Sequence, residues 1–89
     1  GILDLKLDRI RAPLLAIAHR DDACPGTPPA GAIEIARVAA SSPNAQAKFF
    51  TGGEDAGRHP CTPETPHTFF GIEEEVISAI AKFIRANTK

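Results

Sequence analysis

The run Pro13-Leu14-Leu15-Ala16-Ile17-Ala18 contains neither a polar residue nor any alternation. A strand with one wet face alternates apolar and polar positions, so an unbroken run of this length predicts a strand covered on both faces, as in a parallel sheet flanked by helices. Pro13 stands at its first position, where a missing amide donor is tolerated. His19-Arg20-Asp21-Asp22-Ala23-Cys24-Pro25-Gly26 follows, and its Asp, Gly and Pro content marks a loop.

The remaining elements follow the same logic. Residues 30–40 place Ala32, Ile33, Ile35, Ala36, Val38, Ala39 and Ala40 on a broad apolar face broken by Glu34 and Arg37, which predicts a helix of about three turns. Ser41-Ser42-Pro43-Asn44 stops it. Residues 45–51, with Ala47-Lys48-Phe49-Phe50, read as a second short strand ended by Gly52-Gly53. That glycine pair lacks the Lys and Ser/Thr of a phosphate loop and reads as a turn. Gly57, Pro60, Pro63 and Pro66 make residues 54–66 a loop.

The last segment carries Ile72, Val76, Ile77, Ala79, Ile80, Phe83 and Ile84 on one face. Glu73, Glu74 and Glu75 lie in its first turn and Lys82, Arg85 and Lys89 near its end, a charge order that complements a helix dipole. Ahead of the first strand, Leu3, Leu5, Leu7 and Ile10 read as an approach segment, with Leu7 and Ile10 packing on the strand edge.

Strand, helix, strand, helix with connections of this length predicts an α/β fold with a right-handed crossover and a parallel strand pair. Two strands are half a sheet. Their free edges are expected to be completed by other segments or by self-association of copies of this chain.

Several function classes are disfavoured by composition. Ten Lys and Arg against eleven Asp and Glu give a net charge of -1, with the positive charges scattered, so neither nucleic acid nor an anionic membrane is an expected partner. No apolar run approaches the roughly twenty residues of a membrane span. A chain of 89 residues buries only about 60% of its unfolded surface, enough to fold with little margin. No cofactor motif is present.

Ligands of open parallel sheets sit beyond the carboxyl ends of the strands. Asp21-Asp22 follow the first strand and His67 follows the second by way of the long loop, so both project to that edge. A carboxylate and a histidine there can form the orienting half of a catalytic triad, the acid fixing the imidazole tautomer and stabilising the imidazolium. Asp22 is the expected acid and Asp21 its rival, since only one of an adjacent pair can face the histidine. No residue reads as the nucleophile: Ser41 and Ser42 lie at a helix end and Ser78 inside the last helix, none on a strand-to-helix elbow. Phe69 and Phe70 read as core anchors, one of them able to line a pocket wall.

The segment Ile10-Arg11-Ala12-Pro13 with its apolar strand, ending four residues before Asp22 and followed by Pro25, resembles the acid-bearing segment of α/β-hydrolases. His19 stands where that family usually has Gly. Pro66-His67-Thr68-Phe69-Phe70-Gly71-Ile72-Glu73 and the helix after it resemble the family's histidine loop and closing helix. The likeness covers nearly all of residues 1–89 and looks closest to bacterial dienelactone-hydrolase or esterase-like serine hydrolases with one cysteine just after the acid and another before the histidine, matching Cys24 and Cys61.

It implies that the chain is the C-terminal part of a single hydrolase domain, acting on esters or related small acyl substrates through Asp22 and His67. The Gly-x-Ser-x-Gly elbow and the oxyanion-hole loop would then be supplied by the upstream remainder of the domain, and the isolated chain is expected to be inactive.

If Asp22 and His67 meet, the loops carrying Cys24 and Cys61 run side by side, so a Cys24–Cys61 disulfide and a periplasmic or secreted location are expected. Two unpaired thiols in a cytoplasmic protein are the alternative. Two further readings compete with the hydrolase: a small zinc module using Cys24, Cys61 and two of His19, His59 and His67, and a non-catalytic α/β module that completes its sheet by oligomerising.

Overall fold

The structure, a computed structural model, describes residues 6–88. Leu3, Leu5 and Lys89 lie outside the described residues. A 3-10 turn at Leu7–Arg9 precedes strand β1 (Leu14–His19), helix α1 (Ala30–Val38), strand β2 (Ala45–Phe50), a second 3-10 turn at Pro66–Thr68 and helix α2 (Glu73–Ala86). The elements are those the apolar patterning predicts, displaced by a residue or two at their ends. The largest shift is in α1, which stops at Val38, where Ala39 leaves helical geometry at φ -79°, ψ 59°.

The strands β1 and β2 pair in parallel, from Leu14 opposite Ala45 to His19 opposite Phe50. The helix α1 makes the crossover and packs on both strands. The fold is therefore α/β with a two-stranded parallel sheet. At the ends of the ladder, Leu14 N–H donates to the Asn44 carbonyl and Arg20 N–H to the Phe50 carbonyl, each at 2.9 Å. The N–H and C=O of one residue point to the same side and the side alternates along a parallel strand, so Leu14, Ala16, Ala18 and Arg20 address β2 while Leu15 and Ile17 address the opposite edge.

That opposite edge is open. Every residue of β1 borders an apolar trough of about 860 Å³, walled by Leu7, Ile10, Ala32, Ile35 and Phe69. Leu7, buried in the first 3-10 turn, lines this trough together with Ile10, and the turn packs on α1. The unbroken apolar run that called for neighbours on both sides has one neighbouring strand among the described residues.

The buried apolar residues are Leu7, Ala16, Cys24, Ala32, Ala39, Phe50 and Val76. Three alanines among them make a thin core, and the apolar stripe of α2 is wider than the surface that covers it. Val76 is buried, whereas Ile77 and Ile84 are 64% and 56% exposed. The start of α2 has no side-chain cap from Ile72; the Glu73 carboxylate instead accepts the Gly71 N–H at 3.0 Å. This bond and the amide of Glu73 itself hold its carboxyl below the usual Glu value, its own amide contributing most. The far end is tied down by Asn44 Nδ2, which donates to Asn87 Oδ1 at 2.9 Å.

Gly53 marks the closest approach of the loop after β2 to the loop after His67. Its φ is +84°, and a Cβ there would collide with the Phe70 carbonyl. Next to it, Glu54 N–H donates to that same carbonyl at 2.9 Å. The glycine pair that reads as a turn therefore serves as a docking point.

Candidate functional site

The acid loop starts where β1 ends. Asp22 N–H donates to the His19 carbonyl at 3.1 Å, and Asp22 Oδ1 accepts the Cys24 N–H at 2.9 Å, an Asx turn that fixes the carboxylate. Thr27 N–H then donates to the Cys24 carbonyl at 3.0 Å, bringing the Thr27 hydroxyl back over Asp22.

The histidine loop is assembled around Thr65, a threonine only 1% exposed. Its hydroxyl donates to the Thr62 carbonyl at 2.8 Å, and its own carbonyl accepts the amides of Thr68 and Phe70. Pro66 opens the 3-10 turn that carries His67. Phe69 then reverses the chain in left-handed geometry, φ +57°, and inserts its ring edge-on against buried Phe50 with centroids 5.8 Å apart. Phe69 is thus both anchor and trough wall.

These loops bring three side chains together. His67 Nδ1 lies 3.2 Å from Asp22 Oδ2 and 3.0 Å from Thr27 Oγ1, and Thr27 Oγ1 lies 2.9 Å from Asp22 Oδ2. The hydroxyl has one proton, and a carboxylate only accepts, so Thr27 donates to Asp22. His67 Nδ1 then faces two acceptors and must carry the proton. Nε2 has no hydrogen-bond partner among the described residues. The Asp22 side chain is 8% exposed and that of His67 27%, so the acid is enclosed while the imidazole reaches the trough.

Burial alone would push the Asp22 carboxyl up. The Cys24 amide, then His67 and Thr27, outweigh it and hold the group below its ordinary value of 3.8. Asp22 is accordingly a carboxylate over the whole physiological range.

Asp21 is exposed and turns away, bordering a small polar recess with Asp55, Arg58 and His59. Cys24 and Cys61 form a disulfide with Cα atoms 4.8 Å apart, stapling the acid loop to the loop that leads into His67. The bond fits an oxidising location outside the cytoplasm. No helix among the described residues is long and apolar enough to cross a membrane. The disulfide also leaves the zinc reading without its two thiolates, and no group of three or more His, Cys, Asp or Glu among the described residues is placed to hold a metal ion. Ser42 Oγ donates to the Ala12 carbonyl at 2.8 Å, while Ser41 and Ser78 are exposed. None of these serines hydrogen-bonds to His67.

Thr27 and Thr65 carry no signal in the sequence. Each acts through a turn whose closure depends on a distant loop; an Asp followed five residues later by Thr, just ahead of two prolines, is the only local trace of the Thr27 contact.

No protein-family model, curated protein or solved structure matches the chain.

Proposed function

We propose that this chain supplies the acid and the histidine of a Ser-His-Asp hydrolase acting on esters or related acyl compounds. The observation that carries the reading is the Asp22–His67 pair at the carboxyl ends of two adjacent parallel strands, with Nδ1 protonated toward the acid and Nε2 free. Catalysis of this type needs an imidazole in that tautomer. Nε2 would take the serine Oγ proton as Oγ attacks the acyl carbonyl, and Asp22 would stabilise the imidazolium. The proton then passes to the departing alcohol, and water repeats the sequence to release the acid and restore the serine.

The serine and the oxyanion donors have to come from outside these residues. The edge of β1 away from β2, which has no strand beside it among the described residues and borders an apolar trough that His67 also lines, is where an upstream part of the same domain would dock. With its disulfide, the assembled enzyme belongs in the periplasm or the extracellular space.

In the test, the isolated chain shows no ester hydrolysis and takes no label from a fluorophosphonate probe. The protein isolated from its native source carries the serine and reacts with both. There, His67→Ala lowers turnover by several orders of magnitude. Near-normal turnover in that variant would overturn the assignment.

The same open edge, with exposed Ile33, Ile77 and Ile84, favours a second reading: a non-catalytic module that closes its sheet on further copies of itself. A monodisperse oligomer from the native source, with no additional segment and no probe labelling, selects it.

A further inference from the structure

His19 is the other histidine of this edge, and the hydrolase chemistry makes no use of it. It ends β1 with its side chain 1% exposed, one of the two largest fully buried side chains among the described residues. Nδ1 accepts the Asp21 N–H at 3.0 Å, so the ring proton sits on Nε2, which meets the Gly52 carbonyl at 2.7 Å and donates to it. The ring also lies tilted at 47° against Phe69, with centroids 6.3 Å apart. One buried imidazole therefore touches the backbone just before Asp22, the loop after β2, and a residue two positions beyond His67. It hydrogen-bonds to neither member of the pair.

We infer that His19 is a positioning residue for the Asp22–His67 pair, its neutral Nε2–H ring holding the acid loop and the histidine loop in the register at which the pair closes. The inference rests on reading that pair as the working half of a triad, and it concerns what holds the pair rather than what the pair acts on. The function needs an acceptor and a donor on opposite sides of one rigid ring, with a flat apolar face between them. An aliphatic residue supplies neither polar group. Phenylalanine supplies the face alone, and glycine, usual at this place in the family the chain resembles, supplies none of the three. The same strand ends are also tied by the ladder bond in which Arg20 N–H donates to the Phe50 carbonyl at 2.9 Å.

The test is solution NMR of the whole chain. In the wild type the His19 ring shows a protonated Nε2 and an unprotonated Nδ1 in its 15N shifts, and His67 gives a far-downfield Nδ1–H proton. His19→Phe, which keeps the aromatic packing, loses the His67 downfield proton while backbone amide dispersion is retained. His19→Gln, able to donate to Gly52, recovers part of that signal. A full-intensity downfield proton in His19→Phe overturns the inference and leaves the hydrolase reading standing. Loss of the proton in His19→Phe, combined with absence of probe labelling in the native protein, supports the inference and defeats the hydrolase reading. Should His19→Phe not fold, the wild-type ring decides: the reverse tautomer, or a ring protonated on both nitrogens at neutral pH, overturns it.

Discussion

The Thr27 hydroxyl lies closer to His67 Nδ1, at 3.0 Å, than the Asp22 carboxylate does, at 3.2 Å. Because its single proton is given to Asp22, Thr27 is a second acceptor for the imidazole N–H and at the same time a donor that steadies the acid. The three atoms form a closed triangle in which each bond fixes the direction of the next.

Thr27→Val should open that triangle at almost constant volume. The Asp22 carboxyl loses one of the bonds that hold it down, so its titration moves upward, measurable by 13C NMR. A hydrogen bond to a charged group contributes about 1.5–3 kcal/mol, so turnover of the hydrolase proposed above should fall roughly 10- to 100-fold. Thr27→Ser should restore both. An unmoved Asp22 titration in Thr27→Val would show that the hydroxyl is a bystander.

The disulfide closes a segment with a sequence separation of 37 residues. Loop-closure entropy for that length corresponds to about 4 kcal/mol, a large fraction of what a thin core of this size can supply. Cys24→Ser with Cys61→Ser should lower the urea midpoint accordingly, and wild type treated with a dithiol reductant should behave like the double variant. Equal midpoints with and without reductant would mean that the core alone holds the loops.

Acid should remove a further share of stability through Asp22. Its carboxyl sits below the ordinary value of 3.8 in the folded chain, so the unfolded chain binds the proton more readily. The contribution is complete above the unfolded-state pKa and is lost as pH falls from about 4 through the folded value. Urea midpoints taken across that interval should drop more steeply for the wild type than for Asp22→Asn, which cannot titrate there. Parallel curves would place the acid sensitivity elsewhere, with Glu73 and Glu34, both also held low, as the next groups to test.

Much of this fold was legible in the residues because its signals are local. An unbroken apolar run, a helical stripe, a Pro- and Gly-rich loop and an ordered charge sequence along the last helix each depend on neighbours within a few positions, and β1, α1, β2 and α2 follow from them. The coming together of Asp22 and His67 could be anticipated too, since parallel strands send their carboxyl ends to one edge.

What the local pattern could not settle is where chain segments distant in sequence meet. The second edge of β1 calls for a neighbouring strand and has none among the described residues, because pairing a strand requires a partner that the run itself does not contain. His19 reads as a loop residue or a zinc candidate and becomes a buried clamp, because Gly52 arrives beside it only when β2 pairs in register. Thr27 carries no signal in the sequence and becomes part of the site, because the Cys24 turn and the histidine loop close over it together. The sequence by itself determined the elements, their order and the edge on which the acid and the histidine appear. Tertiary structure alone decided which polar atoms face each other across that edge, because hydrogen-bond partners are chosen by distances of a few tenths of an ångström that no spacing rule encodes.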